Sequence, residues 1–353
     1  MLLEDVSLRV MQRCNLWLFA SASFLVSVVA WAGPDPLERL KGFSEFPSVD
    51  IQRLVKGEIL SEPGALMEFK NGISVQTCYA VPVPADEAAK KLQLWDPSLH
   101  QTLKVFKFHP VNEPAAPTDF QGVSLQSNQR PIRWLLDKTR ATTPTQSDLN
   151  LSKEEARQLA ACAKSNPDPQ AVSACWAQLL QHRVTTFQRH GFNGVAPYEA
   201  SGEIMSPTEQ LRAMLREQSG IAAEFAPLLR QSGVLGEQRT LDTPFQYWGM
   251  YEADHRAVLN LGAIYLLPLG DRYQLMDAQY YVSGVYYSFV TLYEVWPVQL
   301  GDQAAALIWR GDYFAAPVLE FTNGFERLAY GAIMIQELKK AIRAFQDDVK
   351  TKP

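Results

Sequence analysis

The sequence predicts an α+β fold: an antiparallel sheet curved around a long C-terminal helix, with a block of helices inserted between its early and late strands. Three observations predict it. Between 245 and 318, segments rich in β-branched and aromatic residues follow one another with only hairpin-sized breaks. The closing stretch "ERLAYGAIMIQELKKAIRAF" repeats apolar residues at helical spacing. From about 130 to 235 the pattern is instead that of helices with capping signals at their starts.

In chain order, residues 1–32 read as a secretory signal. Arg13 gives a short basic start after Met11, and an apolar run from Leu16 to Ala32 ends in Ala30, Trp31 and Ala32, the small-x-small pattern of a cleavage site. Export to the periplasm or beyond the cell follows, with cleavage near Ala32. Residues 33–54 form an N-terminal extension. The domain then runs from 55 to 353, interrupted by the helical insertion at about 130–235.

From 55 to 110 the order is strand, helix, strand. "GEILSE", "LMEFKNG" and "ISVQTCYAVPV" are β-rich, with a turn at Asn71 and Gly72. "PADEAAKKLQLW" is a short helix, with Pro84 at its start and Asp86 and Glu87 in its first turn. "LKVFKFHPV" alternates as a half-exposed strand does. In the insertion, Ser152 with Glu155 and Ser206 with Glu209 fit the capping box. "FQYWGMY", "AVLNLGAIYLLP", "RYQLMDAQYYVSG", "VYYSFVTLYEVWPV" and "AALIWRGDYFAAPV" then form an antiparallel meander. In the last helix Leu328, Ile335, Leu338, Ile342, Phe345 and Val349 make one apolar stripe.

Composition removes several functions. A net charge of −5, spread without blocks, offers no footprint for nucleic acid and no polybasic patch for a membrane. After residue 32 no apolar run approaches the roughly 18 residues of a membrane span. Of the cysteines, Cys162 and Cys175 flank a Pro-containing turn between two helical patterns. In an oxidising compartment they can pair, contributing on the order of 3 kcal/mol; two buried thiols are the alternative. Cys78 is left as a buried strand residue.

Aromatic residues crowd the late strands: Tyr280, Tyr281, Tyr286, Tyr287, Phe289, Tyr293 and Trp296 lie within "QYYVSGVYYSFVTLYEVWPV". From Val285 both alternating sets are largely apolar, so this strand is covered on both sides. A membrane barrel does not fit, because strands occupy under half the chain and it ends in a charged amphipathic helix. The aromatics either fill a solid core or line a pocket for an apolar ligand.

The strand "ISVQTCYAVPV" running into the helix "PADEAAKKLQLW", the later antiparallel run and the closing helix resemble the START-like, helix-grip superfamily. The resemblance covers roughly 55–110 and 245–348 and is one of element order. "QYYVSGVYYSFVTLYEVWPV" and "ALIWRGD" are also similar to bacterial exported proteins of unknown function. The resemblance implies a sheet gripping the C-terminal helix, often around a cavity for lipids, sterols or polyketide-like molecules. The helical insertion departs from that pattern, and is the place for a lid or a second lobe.

No G-x-S-x-G, P-loop or metal-ligand spacing occurs, and His182 and His190 are too far apart for a helical zinc pair. No cofactor, metal or catalytic residue is expected. Two charges inside late strands stand out, Glu294 and Arg310; as buried charges they call for partners, and the two could pair with each other. The expectation is an exported binding protein for a hydrophobic small molecule or lipid. Its cavity would be lined by Tyr265, Tyr281, Tyr287, Phe289, Tyr293 and Trp309 with Leu328, Ile335 and Leu338, and Glu294 and Arg310 would supply its polar groups. The alternatives are a solid-cored module that contacts an envelope protein through the insertion, and a cavity enzyme of cyclase or hydrolase type.

Overall fold

In the computed structural model, residues 35–199, 202–300 and 303–350 are described. From Pro36 onward they form one compact unit. The signal-peptide reading, including the cleavage position, lies outside the described residues.

Two short helices open the unit, α1 (Pro36–Phe43) and α2 (Ile51–Val55). Then come β1 (Leu60–Pro63), β2 (Gly72–Val81), α3 (Ala85–Leu94) and β3 (Val105–Val111). Six helices follow before the next strand: α4 (Arg130–Ala141), α5 (Lys153–Ser165), α6 (Pro169–His190), α7 (Pro207–Glu217), α8 (Ser219–Glu224) and α9 (Ala226–Gln231). The late strands are β4 (Phe245–Ala253), β5 (Arg256–Leu269), β6 (Arg272–Val282), β7 (Ser288–Leu300) and β8 (Gln303–Ala315). Helix α10 (Gly324–Lys350) closes the described chain.

Among the described residues, the strands form one curved, open, antiparallel sheet in the order β1-β2-β8-β7-β6-β5-β4-β3. The early strands therefore sit at the two edges, and the late meander β4–β8 fills the middle. Ser152 caps α5 in a reciprocal capping box with Glu155, as its spacing predicts. Ser206 accepts the Glu209 N–H at the start of α7.

Both faces of the sheet are covered. On one, which we call the gripped face, α3 lies over β5–β8 and α10 packs on β1 and β2. Ala85, Ala88 and Ala89 meet Leu275, Val295 and Ile308 there, with Ile342 and Phe345 from α10 in the same cluster. Small alanines let α3 approach the sheet closely. The far end of α10 is clipped to the end of α3: the Trp95 indole N–H donates to Asp348 at 2.7 Å, and a ring nitrogen of His100 lies 2.8 Å from the same carboxylate.

The helical insertion makes the layer on the opposite face. There α7 packs on β2, β6, β7 and β8, while α4 and α9 pack on β5. Phe187 stacks on Tyr280 with ring centroids 3.8 Å apart, and Phe43 and Phe225 close on Trp309. Residues of the N-terminal extension join this core, with Leu40 and Phe46 almost wholly buried. Cys162 and Cys175 sit at disulfide distance, Cα atoms 6.7 Å apart, stapling α5 to α6. Cys78 is free and buried.

Candidate functional site

Register decides which side chains share the gripped face. Thr291 on β7 lies between Asp277 on β6 and Asp312 on β8. One step along, Tyr293 lies between Leu275 and Arg310; one step the other way, Phe289 lies between Gln279 and Phe314. Three rows across three strands thus place a polar patch in the middle of an otherwise apolar surface.

Within the patch the charges are unequally matched. The Arg310 guanidinium donates from Nε and Nη2 to the two Asp312 oxygens at 2.8 and 2.7 Å, and the Thr291 hydroxyl donates to Asp312 at 2.8 Å. Burial works against the charge on Arg310, but Asp312 beside it holds the guanidinium protonated. Asp277 has only neutral donors: the Tyr247 hydroxyl reaches its two oxygens at 2.9 and 3.2 Å. That reach depends on Gly262, where any Cβ would lie 2.2 Å from the Tyr247 ring. Burial raises the Asp277 pKa to about 7, against the opposing pull of the Tyr247 hydrogen bond and of Arg310.

This patch is not sealed. Leu275, Val295 and Ile308, under α3, have no exposed surface. By contrast Tyr251, Asp277, Gln279, Phe289, Tyr293 and Phe314 remain partly exposed. This face is fully buried at one end and partly exposed in the middle, a stretch we call the groove. Its floor is aromatic, and Gln279 is fixed in it by the hydroxyls of Tyr251 (3.2 Å) and Tyr286 (2.6 Å).

The structure separates the residues predicted to line one cavity. Phe289 and Tyr293 are in the groove. Tyr265 and Trp309 point to the opposite face, against Phe192 and Phe225. Tyr281 also points there, lying 4.0 Å beneath the Arg183 guanidinium. Strict alternation places Tyr281 with Phe289, but the register shift opposite Leu261 and Gly262 turns both Tyr280 and Tyr281 toward the insertion. Tyr287, in the β6–β7 connection, lines a different cleft of about 470 Å³ together with Trp134, Tyr198 and Arg256. On α10, Leu338 is buried and Ile335 partly so, whereas Leu328 is 57% exposed. The stripe is buried from Gly331 onward, and Leu328, one turn before it, stands at the rim of a small crevice with Ile73 and Gly331.

Glu294 and Arg310 do not pair. Tyr293, not Glu294, is the register partner of Arg310. Glu294 faces the insertion layer, where it pairs with Arg272 and accepts from Gln274 at 2.7 Å. Arg272 in turn meets Glu224 of α8 at 2.9 Å, and Arg39 of α1 meets the same carboxylate at 2.7 Å. Alternating charges thus tie α1 and α8 to the sheet. Burial lifts Glu294 to about 7, with Arg272 and Gln274 opposing the rise.

Sequence reasoning missed Tyr247, Asp277 and Asp312. The signal was there for the two acids: "MDAQYYV" and "WRGDYF" each put an acid inside an apolar strand, as "YEVW" does for Glu294. Tyr247 has no such mark, because its role comes from Gly262 on the neighbouring strand. Among the described residues, no group of histidine, cysteine and acidic side chains could hold a metal ion. No described helix is long and apolar enough to cross a membrane. Neither a protein-family model nor a curated protein matches this chain.

Proposed function

We propose that this chain is an exported binding protein for a hydrophobic small molecule or lipid, which it holds in the groove on the gripped face of a START-like sheet. The observation that carries the reading is the partly exposed aromatic floor of Tyr251, Phe289, Tyr293 and Phe314 around Asp277, in a sheet whose other buried surface is tightly packed. Ligand sites are mostly apolar concavities with a few convergent polar groups, and this patch has that composition. Binding would transfer apolar ligand surface from water onto the rings, while the polar row fixes orientation. Element order adds support, since β2, α3, β3, the late strands and α10 come in the START-like order, with the helical insertion between β3 and β4.

The test is uptake of the neutral lipophilic probe N-phenylnaphthylamine. Its fluorescence should rise with the wild-type protein and with Tyr287→Glu, and should not rise with Phe289→Glu. A signal lost only in Tyr287→Glu moves the site to the other cleft.

A second reading has its own observation. Asp277 titrates near neutrality beside the Tyr247 hydroxyl, which suits a general acid or base in a cavity enzyme. Chemical change of a ligand recovered from the protein, lost in Asp277→Asn, separates this reading from simple binding.

A further inference from the structure

Helix α10 carries two apolar stripes, and the rest of the described chain covers one of them. Gly331, Leu338, Ile342, Phe345 and Val349 are buried. Phe325, Leu328, Ala329, Ala332, Ile333 and Gln336, at i, i+3, i+4, i+7, i+8 and i+11, form the other stripe, roughly a third of a turn round the helix. All six are exposed, and no charged residue stands between Arg327 and Glu337. The exposed surface continues off the helix. Phe321, ending the turn Pro317–Phe321 ahead of α10, shares a crevice with Leu66 of the β1–β2 connection, and Leu66 shares a second with Leu328. Leu66, Phe321 and Phe325 are each more than four-fifths exposed, and Leu328 and Ile333 more than half. Five such side chains present on the order of 600 Å² of surface. That is the upper end of what a monomer's largest apolar patch reaches, and most of the roughly 800 Å² each partner covers in a stable interface.

Charge around the patch selects its partner. Glu320 and Glu326 flank the most exposed rings, Phe321 and Phe325, with Lys70 across the crevice. Arg327 is turned inward, its guanidinium donating to the backbone carbonyls of Lys70, Gly72 and Leu319. At the other end of the stripe come Lys339, Lys340 and Arg343. An anionic lipid surface calls for cations beside the inserting rings, and here acids stand there instead. A second copy of this chain meets both ends at once: turned antiparallel, its basic end lies along the acidic end of the first. A two-fold axis near Ile333 sets Glu326 of each copy beside Lys340 of the other, and keeps the uncharged stretch in the middle where like charges would otherwise face each other. Ala329 and Ala332 leave room for two helices to come close there. We propose that this face is the docking surface for a second copy of the chain, with two α10 helices packed antiparallel across a two-fold axis near Ile333.

The experiment is sedimentation velocity of the chain from residue 33 onward over a wide range of concentration. The wild-type protein should reach the mass of a dimer. Ile333→Asp, at an exposed position that leaves the core intact, should weaken the dimer at least about ten-fold with an unchanged thermal midpoint at monomer concentrations. Ile204→Asp, at an equally exposed apolar position on the insertion, should leave the dimer as it was. Ile333→Cys should cross-link to itself on oxidation, because a residue near a two-fold axis meets its own copy. A protein that stays monomeric at every concentration would overturn the proposal, as would a dimer indifferent to Ile333→Asp. Co-sedimentation of the monomer with phosphatidylcholine–phosphatidylglycerol vesicles, lost in Ile333→Asp, would give the patch to a lipid surface and overturn it too.

Discussion

Glu294 and Arg310 lie one register step apart on neighbouring strands and point to opposite faces of the sheet, Glu294 to Arg272 and Arg310 to Asp312. Two charges that look like partners in sequence thus serve separate layers. The expected consequence is energetic independence. In a double-mutant cycle read by urea denaturation, Glu294→Gln with Arg310→Lys should be additive within about 0.5 kcal/mol. Glu294→Gln with Arg272→Lys should show coupling of about 1–3 kcal/mol.

Stability should also depend on pH through two carboxyls. Folding raises both, Asp277 from 3.8 and Glu294 from 4.5, to about 7. The fold therefore favours their protonated forms. Their stabilising contribution is complete below the unfolded values and is lost as pH rises through about 7. Asp277 is faced by Tyr247, Thr291, Arg310 and Asp312, and Glu294 by Arg272, Gln274 and Glu224. The thermal midpoint should fall between about pH 5 and pH 8, and Glu294→Gln should flatten part of that fall. A midpoint that rises over this range in the wild-type protein contradicts the assignment.

Gly262 is where Tyr247 crosses the sheet to reach Asp277. Gly262→Ala would force the ring aside and should cost about 1–3 kcal/mol, the usual effect of overfilling a packed site. Pairing it with Tyr247→Leu should recover part of that loss, because the clash is with the ring. Denaturation midpoints of the single and double variants check this.

Legibility in the sequence followed the range of the interaction. Helix starts, the late meander and the stripe of Leu338, Ile342, Phe345 and Val349 were legible, because they are set by residues a few positions apart. Face assignment was not. Tyr265 and Trp309 needed the cross-strand register, which no single strand carries, and Tyr281 needed a bulge in β6 that shows only against its partner strand β5. Leu328 shows a smaller version of the same limit: it keeps the spacing of the stripe, yet it is 57% exposed, at the rim of a small crevice with Ile73 and Gly331. The site acids were visible as charges in apolar strands, yet only the register shows that Asp312 is matched and Asp277 is not.

Reducing the Cys162–Cys175 pair should be informative for what it leaves alone. It closes a short loop between α5 and α6 on the insertion layer, so Cys162→Ser should lower stability by about 3 kcal/mol. Probe binding in the groove, on the other side of the sheet, should not change. Loss of binding at full folding would tie the insertion to the site.

The most direct test is native mass spectrometry of the chain from residue 33 onward, isolated without detergent and then exposed to a lipid extract. A reproducible small-molecule adduct should appear, be lost in Phe289→Glu and persist in Tyr287→Glu. A clean apo mass with no uptake from the extract, or an adduct indifferent to Phe289→Glu, would contradict binding in the groove.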